Sequence, residues 1–481
     1  MENQNEKPHN KSIERNREML TAPVGRLTLK MAYPTIIAFL ITSIYNLADT
    51  YFVSGLGTNA TAAVSVNASL DNLIFMGGSL FAVGAASYIS RLLGAGDQKQ
   101  ANKVLSTSFF TAMAFGLLIL IFGLIFIEPL VRLLGATDSC ISYSIEYATY
   151  VLWVAPLMAA NFVTNQCLRS EGRALLSMLG MGFGGLLNCF LDPFFIMGNV
   201  TIFGLTFNGL GLGVAGASIA TAISKLVSFI ILIAPYLLKQ CTLKLSFRCI
   251  TFTRTIIKEV ATVGSSALFR NGLNVVSAII LNNIAGNISD SLLAAVGVST
   301  KIMMFPFGFI LGYGNGFQPV AGFAWGARDF KRVRKSYSFA WKSAVIGAAV
   351  MAAALAIYSD FVIGLFTETD EEMLRLGSLC IITQCIALPI HAWVAIVNMY
   401  CSSLGYGFGA ILLAISRQGL CFLPIVFPLA AIWKAEGVCY VQAVADTLSI
   451  FLAIPMLIHI FRMIEKEKAI DAAQPAPAMG K

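Results

Sequence analysis

Leu92–Lys103 reads LLGAGDQKQANK, and Ala324–Lys335 reads AWGARDFKRVRK. Laid over one another at a shift of 232 residues, Gly94 meets Gly326, Ala95 meets Ala327 and Asp97 meets Asp329. Lys99 then falls on Lys331 and Lys103 on Lys335. The match runs without a gap from Ala63–Lys103 over Ala295–Lys335, with Gly84 on Gly316. It returns where Leu133 meets Leu365 and Thr137-Asp138 meets Thr369-Asp370. Each quoted stretch is a short basic loop between long apolar runs. The chain therefore reads as two copies of one helical unit. An even number of crossings separates equivalent points, so the copies share one orientation and leave a cleft between them.

Of the 481 residues, 57% are hydrophobic and only 12% charged, with a mean hydropathy of +0.76. Soluble domains carry about 25% charged residues. A hydrocarbon core of about 30 Å takes about 20 apolar residues per helix, and the apolar runs divide into about twelve such pieces. They are continuous rather than alternating, which points to helices rather than a barrel. The expected spans are 31–53, 66–90, 105–127, 143–167, 175–198, 211–238, 257–286, 294–324, 339–360, 375–400, 408–432 and 437–461. The expected fold is all-α, two parallel six-helix lobes at 31–238 and 257–463. A linker at 239–256 joins them, and polar tails occupy 1–30 and 464–481.

Alternating the loops between two sides separates the charge. The tails and the loops near Arg91–Lys103, Arg169–Arg173, Lys239–Lys258 and Arg328–Lys342 collect most of the 33 basic residues. The opposite side has Arg132, Arg375 and Lys434 with the acidic Glu368, Asp370, Glu371 and Glu372. Both termini are then expected in the cytoplasm. The net charge of +8 is explained by this bias, so no nucleic-acid partner is expected. The N-terminal tail is polar and mixed in charge, unlike a cleavable signal, and could hold a short amphipathic helix.

The cysteines lie mostly in apolar runs (Cys167, Cys189, Cys385, Cys421), and neither they nor His9, His391 and His459 show metal spacing. No cofactor and no resident metal are expected. No HExxH or GxSxG constellation or sizeable soluble domain is present, so the chain does not read as an enzyme.

Two carboxylates lie inside expected spans, where each needs a reason. Asp49 lies in IYNLADTYFVSGLG and Asp192 in LLNCFLDPFFI. The 232-residue shift places Leu281 and Pro424 at the equivalent positions, so ion coupling is expected in the N-terminal lobe alone. Asn188 and Asp192 share a helix face, and Pro193 loosens the hydrogen bonding beside the acid. Asp49 and Asp192 could share one proton, because two buried like charges resist double ionisation. Oxygens of Asp49, Asn188, Asp192 and Thr221 could instead form a Na⁺ site. Asp71 and Glu146 read as solvated helix-end residues, and His391 as a packed histidine. Arg270, Lys301, Lys225 and Asp446 read as pairing within the C-terminal lobe or snorkelling to the interface.

Pro34, Asp49 and Gly57, followed by LLGAGDQKQANK, LRSEGR, NCFLDP and GVAGASIAT, resemble the N-terminal lobe of the MATE (multidrug and toxic compound extrusion) transporters. AAVGVSTKI and FPFGFILGYGNGFQPVAGFAWGARDFKRV resemble the matching part of their C-terminal lobe. The resemblance covers about residues 25–465 and implies two six-helix bundles around a central cavity, exporting organic, often cationic, drugs against H⁺ or Na⁺. It is nearest the DinF-like type, whose acids cluster in the N-lobe, with Asp49, Asn188 and Asp192 on the motif positions. Tyr45 and Thr221 join that cluster, and Pro34 matches a proline at which the first helix bends on protonation. The seventh span reads LFRNGLNVVSAIILNN without the acid of the NorM type, which favours H⁺ over Na⁺.

On this reading cargo contacts are mostly apolar and aromatic. The expected substrate contacts are Tyr45, Phe305, Phe309, Tyr313, Trp393 and Met399, with Asn161, Asn165, Asn282 and Asn283 as polar anchors. The expected partners are organic cations and the lipid bilayer, the expected state a monomer, and the expected place a bacterial inner membrane. The rival is a flippase for a lipid-linked precursor, which requires a strongly cationic cavity.

Overall fold

The computed structural model describes residues 8–54, 56–202, 205–366 and 370–473. The helices, in chain order, are α1 Pro8–Thr21, α2 Val24–Ser54, α3 Thr58–Gly94, α4 Gln98–Ile125, α5 Ile127–Leu133, α6 Ile141–Ser170, α7 Ala174–Ile196 and α8 Gly213–Leu237. A second set follows: α9 Arg254–Ile288, α10 Asp290–Gly326, α11 Phe330–Ile357, α12 Ser359–Gly364, α13 Glu371–Ser403, α14 Gly407–Ile415 and α15 Phe422–Ala473. Among the described residues ten helices are long and apolar enough to cross a membrane. α9 falls outside that group because Arg270 and the asparagines 271, 274, 282, 283 and 287 dilute its apolar content. The stretch from Gly407 counts once although its backbone breaks at Lys434, with φ of 49°. With α9 included and the break respected, the described residues hold one helix for each of the twelve expected spans.

The repeat is visible to the residue. α3 and α10 begin and end 232 positions apart, and so do α4 and α11. The cause is local. Asp97 caps α4 by accepting the Gln100 backbone N–H at 2.9 Å, and Asp329 caps α11 from Arg332 at 2.9 Å. A carboxylate at this position satisfies an orphan donor and the positive end of the helix dipole. The repeat stops at the next loop, where Asp370 caps α13 but Asp138 pairs with Arg132 at 2.8 Å.

Two features accompany the helices. The fold is not purely helical: a small hairpin, β1 Asn199–Ile202 with β2 Leu205–Asn208, pairs antiparallel between α7 and α8. The linker is anchored to the N-lobe. Its Lys244 N–H reaches Asn102 at 2.8 Å and its Thr251 N–H reaches Thr107 at 3.0 Å, both on α4.

Outer helices turn apolar side chains outward, as a lipid solvent demands. α4 exposes Leu118, Phe122 and Ile125, and α11 exposes Ile346, Val350 and Ile357. The lobes meet through α2 against α10 and α3 against α9 and α10. The tightest crossing uses the repeated glycines. A Cβ at Gly94 would collide with the Phe323 carbonyl, and one at Gly326 with the Arg91 carbonyl. Phe323 and Arg91 are themselves equivalent in the repeat. Farther along the same interface a Cβ at Gly308 would meet only Ser43 and Phe39, at 3.7 and 3.9 Å. The lobes therefore close at the basic-loop end and loosen away from it.

Candidate transport site between the lobes

The glycine-rich start of α7 sets the N-lobe geometry. A Cβ at Gly184 would lie 2.8 Å from Ser228 of α8, and one at Gly185 would lie 2.8 Å from the Tyr45 ring of α2. Small residues let three membrane helices approach closely. That approach carries Asn188 and Asp192, one and two turns on, to the same seam. Asp192 is fully buried and Asn188 is 3% exposed. The Asn188 amide donates to Asp192 Oδ1 at 3.0 Å and to Thr221 Oγ1 of α8 at 3.3 Å. The expected grouping of Asn188, Asp192 and Thr221 is thus present in space.

Tyr45 joins it through a residue assigned elsewhere from sequence. Lys225, one turn after Thr221, donates to the Tyr45 hydroxyl at 3.2 Å, and its ammonium stands 5.3 Å from the ring centre. Lys225 therefore serves the N-lobe, not a C-lobe pair. It is also the charge that acts on Asp71 of α3. Asp71 is no solvated helix-end residue: its Oδ1 is buried without a hydrogen-bond partner. Glu146, by contrast, is exposed as expected. Asp49 lies on α2, one turn after Tyr45, but its side chain is outside the described residues. Pro34 is buried within α2, three residues after the Met31 and two after the Ala32 that face Gly316.

The expected cargo contacts divide. Asn161 of α6 belongs to the polar wall, donating to Ser228 at 3.1 Å. Asn165 is committed elsewhere, to the buried Arg169 and to the Ser177 carbonyl. Tyr313 is 2% exposed with its hydroxyl on Ser343, and Phe309 packs over Gly347, so this face of α10 is turned to α11 inside the lobe. Met399 is 5% exposed in the same interior, against Gly314. Trp393 lines an open groove of about 500 Å³ with Tyr337, Trp341 and Phe461, near the basic end. Phe305 is half-buried, while Asn282 and Asn283 are exposed. Asn283 hydrogen-bonds the Ile279 carbonyl within its own helix.

The C-lobe holds a second polar cluster that sequence reading dispersed. A π-helical turn, Ser416–Leu420, joins α14 to α15 and presents Arg417. Its Nε donates to Asp446 Oδ1 at 2.5 Å, and Gln442 donates to the same oxygen at 3.1 Å. His391 Nδ1 stands 4.0 Å from that oxygen, and its ring meets Phe307 edge-on at 5.3 Å. Asp446 thus pairs with Arg417, which was not singled out, whereas Arg270 takes no part in the pair. Lys301 is exposed, as snorkelling requires.

The profile of the MatE family matches residues 34–194 and again 267–432, so the same profile is met once in each lobe. The chain belongs to the MATE family. The family is one of transporters, not enzymes. A multidrug export protein, MepA, from Staphylococcus haemolyticus is 25% identical over 93% of this chain and 96% of its own length. A solved structure described as the outward-facing conformation of a multidrug resistance MATE transporter superimposes with a TM-score of 0.86 at 25% identity. It covers 93% of this chain and 98% of that one. A second, described as MATE in the straight conformation, gives 0.85 at 25% identity over 94% and 98%. As a MATE protein this chain is a multi-pass membrane transporter.

Its closed end is held by more than glycines. Arg91 of α3 pairs with Glu259 of α9 at 2.8 Å, and Gln166 donates to Asn315 at 3.2 Å. Arg332 donates to the carbonyls of Met19 and Ala22 at 3.0 and 2.7 Å, so α1 is a strap across the seam rather than a free tail. Glu171, fully buried in the turn after α6, accepts the linker N–H groups of Thr242 and Leu243 at 2.8 and 3.3 Å. Burial pushes this carboxyl up to about 7, although Arg173 and the linker N–H groups pull it down.

Proposed function

We propose that this MATE protein is a multidrug exporter of the bacterial inner membrane that exchanges organic cations for H⁺ through N-lobe carboxylates. The observation carrying the reading is the buried seam in which Asp192, Asn188 and Thr221 meet beside Tyr45 and Lys225. The MepA relative, named for multidrug export, supports the cargo class. Asp49, one turn beyond Tyr45, is the second acid of the site. H⁺ fits this seam better than Na⁺, because the Lys225 ammonium already supplies a fixed positive charge that opposes a second cation.

The basic loops lie at the closed end, which the positive-inside rule puts in the cytoplasm, with both termini. The conformation is then outward-facing. Protons entering from outside neutralise Asp49 and Asp192, α2 bends near Pro34, and the cargo loses the charge that held it. The lobes rock, the protons leave to the cytoplasm, and the restored charge draws in a new cation. One pH unit supplies about 1.4 kcal/mol per proton, and 100 mV about 2.3 kcal/mol per net charge moved.

The test is efflux of ethidium from proteoliposomes under a pH gradient or a Na⁺ gradient, each alone, with Asp49→Asn and Asp192→Asn beside the parent. ΔpH-driven efflux lost in both variants is the expected result. Efflux on Na⁺ alone would change the ion. No efflux under either gradient would sink the reading and raise the flippase instead.

A further inference from the structure

The coupled cycle makes no use of Arg270. It lies on α9, the helix that forms the C-lobe wall of the inter-lobe seam: its neighbour Asn271 donates to Ser79 of α3 at 3.4 Å. One turn on, Asn274 accepts from Gln418 of the π-helical turn at 3.1 Å, which ties this stretch to the Arg417 cluster. Arg270 is also close enough to act on the charge of His391. In that cluster Asp446 is spent on Arg417, whose guanidinium rests 4.5 Å from the centre of the Phe307 ring. Among the described residues Arg270 has no ion pair and no side-chain hydrogen bond. Its side chain is partly exposed, in a stretch of α9 that faces α3 across the lobe interface. A guanidinium left uncompensated at membrane depth is costly, and such residues mark ligand positions. Its planar fork of donors fits a carboxylate.

We propose that Arg270, backed by the Arg417–Asp446 pair and the His391 ring, forms an anion subsite that takes the carboxylate of a zwitterionic organic cargo. The cargo's cationic end then faces Asp192 and Asp71 in the opposite lobe. The proposal rests on the export reading above and adds a second charge to the cargo it describes.

A pair of dyes differing in one methyl group separates the two readings. Rhodamine 110 carries a free carboxylate, and rhodamine 123 is its methyl ester. Binding to the purified protein in nanodiscs is followed by fluorescence polarisation. The parent is expected to bind both. Arg270→Gln is expected to weaken rhodamine 110 at least tenfold, about 1.4 kcal/mol, and to change rhodamine 123 less than twofold. Arg270→Lys, which keeps the charge without the fork, is expected to fall between. Melting temperature reports on folding separately, so an unfolded Gln variant is recognised at once, and the Lys variant then carries the comparison. In a variant that keeps the parent's melting temperature, equal losses for both dyes, or none for the acid, would overturn the subsite. A parent that binds the ester but not the acid would also overturn it while sparing the export reading. Binding neither dye would take down both.

Discussion

The two lobes share a scaffold to the residue and differ in charge. α3 and α10 have the same limits in the repeat, the capping aspartates Asp97 and Asp329 make the same bond, and Gly94 and Gly326 meet each other's lobe in the same way. Inside the lobes the likeness ends. The N-lobe sets the buried Asp71 near Lys225 and buries Asp192 beside Asn188, whereas the C-lobe pairs Arg417 with Asp446 and leaves Arg270 outside that pair. Caps and close crossings are held by backbone geometry, which tolerates little change. Polar side chains within a bundle need only local compensation, so each lobe was free to take its own sign. Duplication supplied the frame, and divergence of buried charge supplied the polarity across the cleft.

The sharpest way to break this contrast is to remove one acid from each lobe. Asp192→Asn should reduce ΔpH-driven efflux to the level of empty liposomes, whereas Asp446→Asn should leave coupling to ΔpH in place. Equal loss of coupling in both would end the idea that the N-lobe alone carries it. Next in size is the C-lobe pair itself. Arg417→Met strands the buried Asp446 and should cost about 3–5 kcal/mol, read as a fall in thermal stability. Arg417→Met with Asp446→Leu should recover most of that loss, and no recovery would mean that the pair is not the reason.

The likeness can be tested separately. Gly94→Leu and Gly326→Leu insert a side chain against backbone and should each disfavour the closed basic end, by about 1–3 kcal/mol. Spin-label distances across that end should lengthen alike in both; lengthening in only one would deny the symmetry of the crossing. A smaller effect separates the turns ended by Gly172 and Gly405, both at positive φ, where Glu171 precedes one and Leu404 the other. The native Glu171 carboxyl keeps its proton to about 7, against 4.5 for the ordinary group. Between those values the unfolded chain has lost a proton that the native state retains, so stability falls as pH rises through that window. Glu171→Gln should flatten the parent's decline in melting temperature over this range. A parent profile that rises there instead would show that the carboxyl is not held protonated. The smallest effect is expected from Asn283→Ala: an exposed side chain bonded within its own helix should change stability by less than about 0.5 kcal/mol, by the same thermal assay.

What sequence determined by itself were the features whose cause lies within one stretch of chain. The apolar runs, the basic-loop bias and the repeat led to twelve crossings in two lobes, because span length and capping act over neighbouring residues. Asn188 and Asp192 were legible together because four residues on one helix share a face. The tertiary structure decided which faces meet. Lys225 went to Tyr45 across 180 residues, and Asp446 to Arg417 across a π-helical turn that no periodicity announces. Asp71 looked like a helix-end residue until α3 was found to begin at Thr58, which sets it well inside the bundle. Tyr313, Phe309 and Met399 were expected as cargo contacts, yet their faces turn to α11 and the lobe interior. A sequence in which every face of a helix is apolar carries no amphipathic stripe to orient it, so only packing against neighbours assigns inside, cleft and lipid.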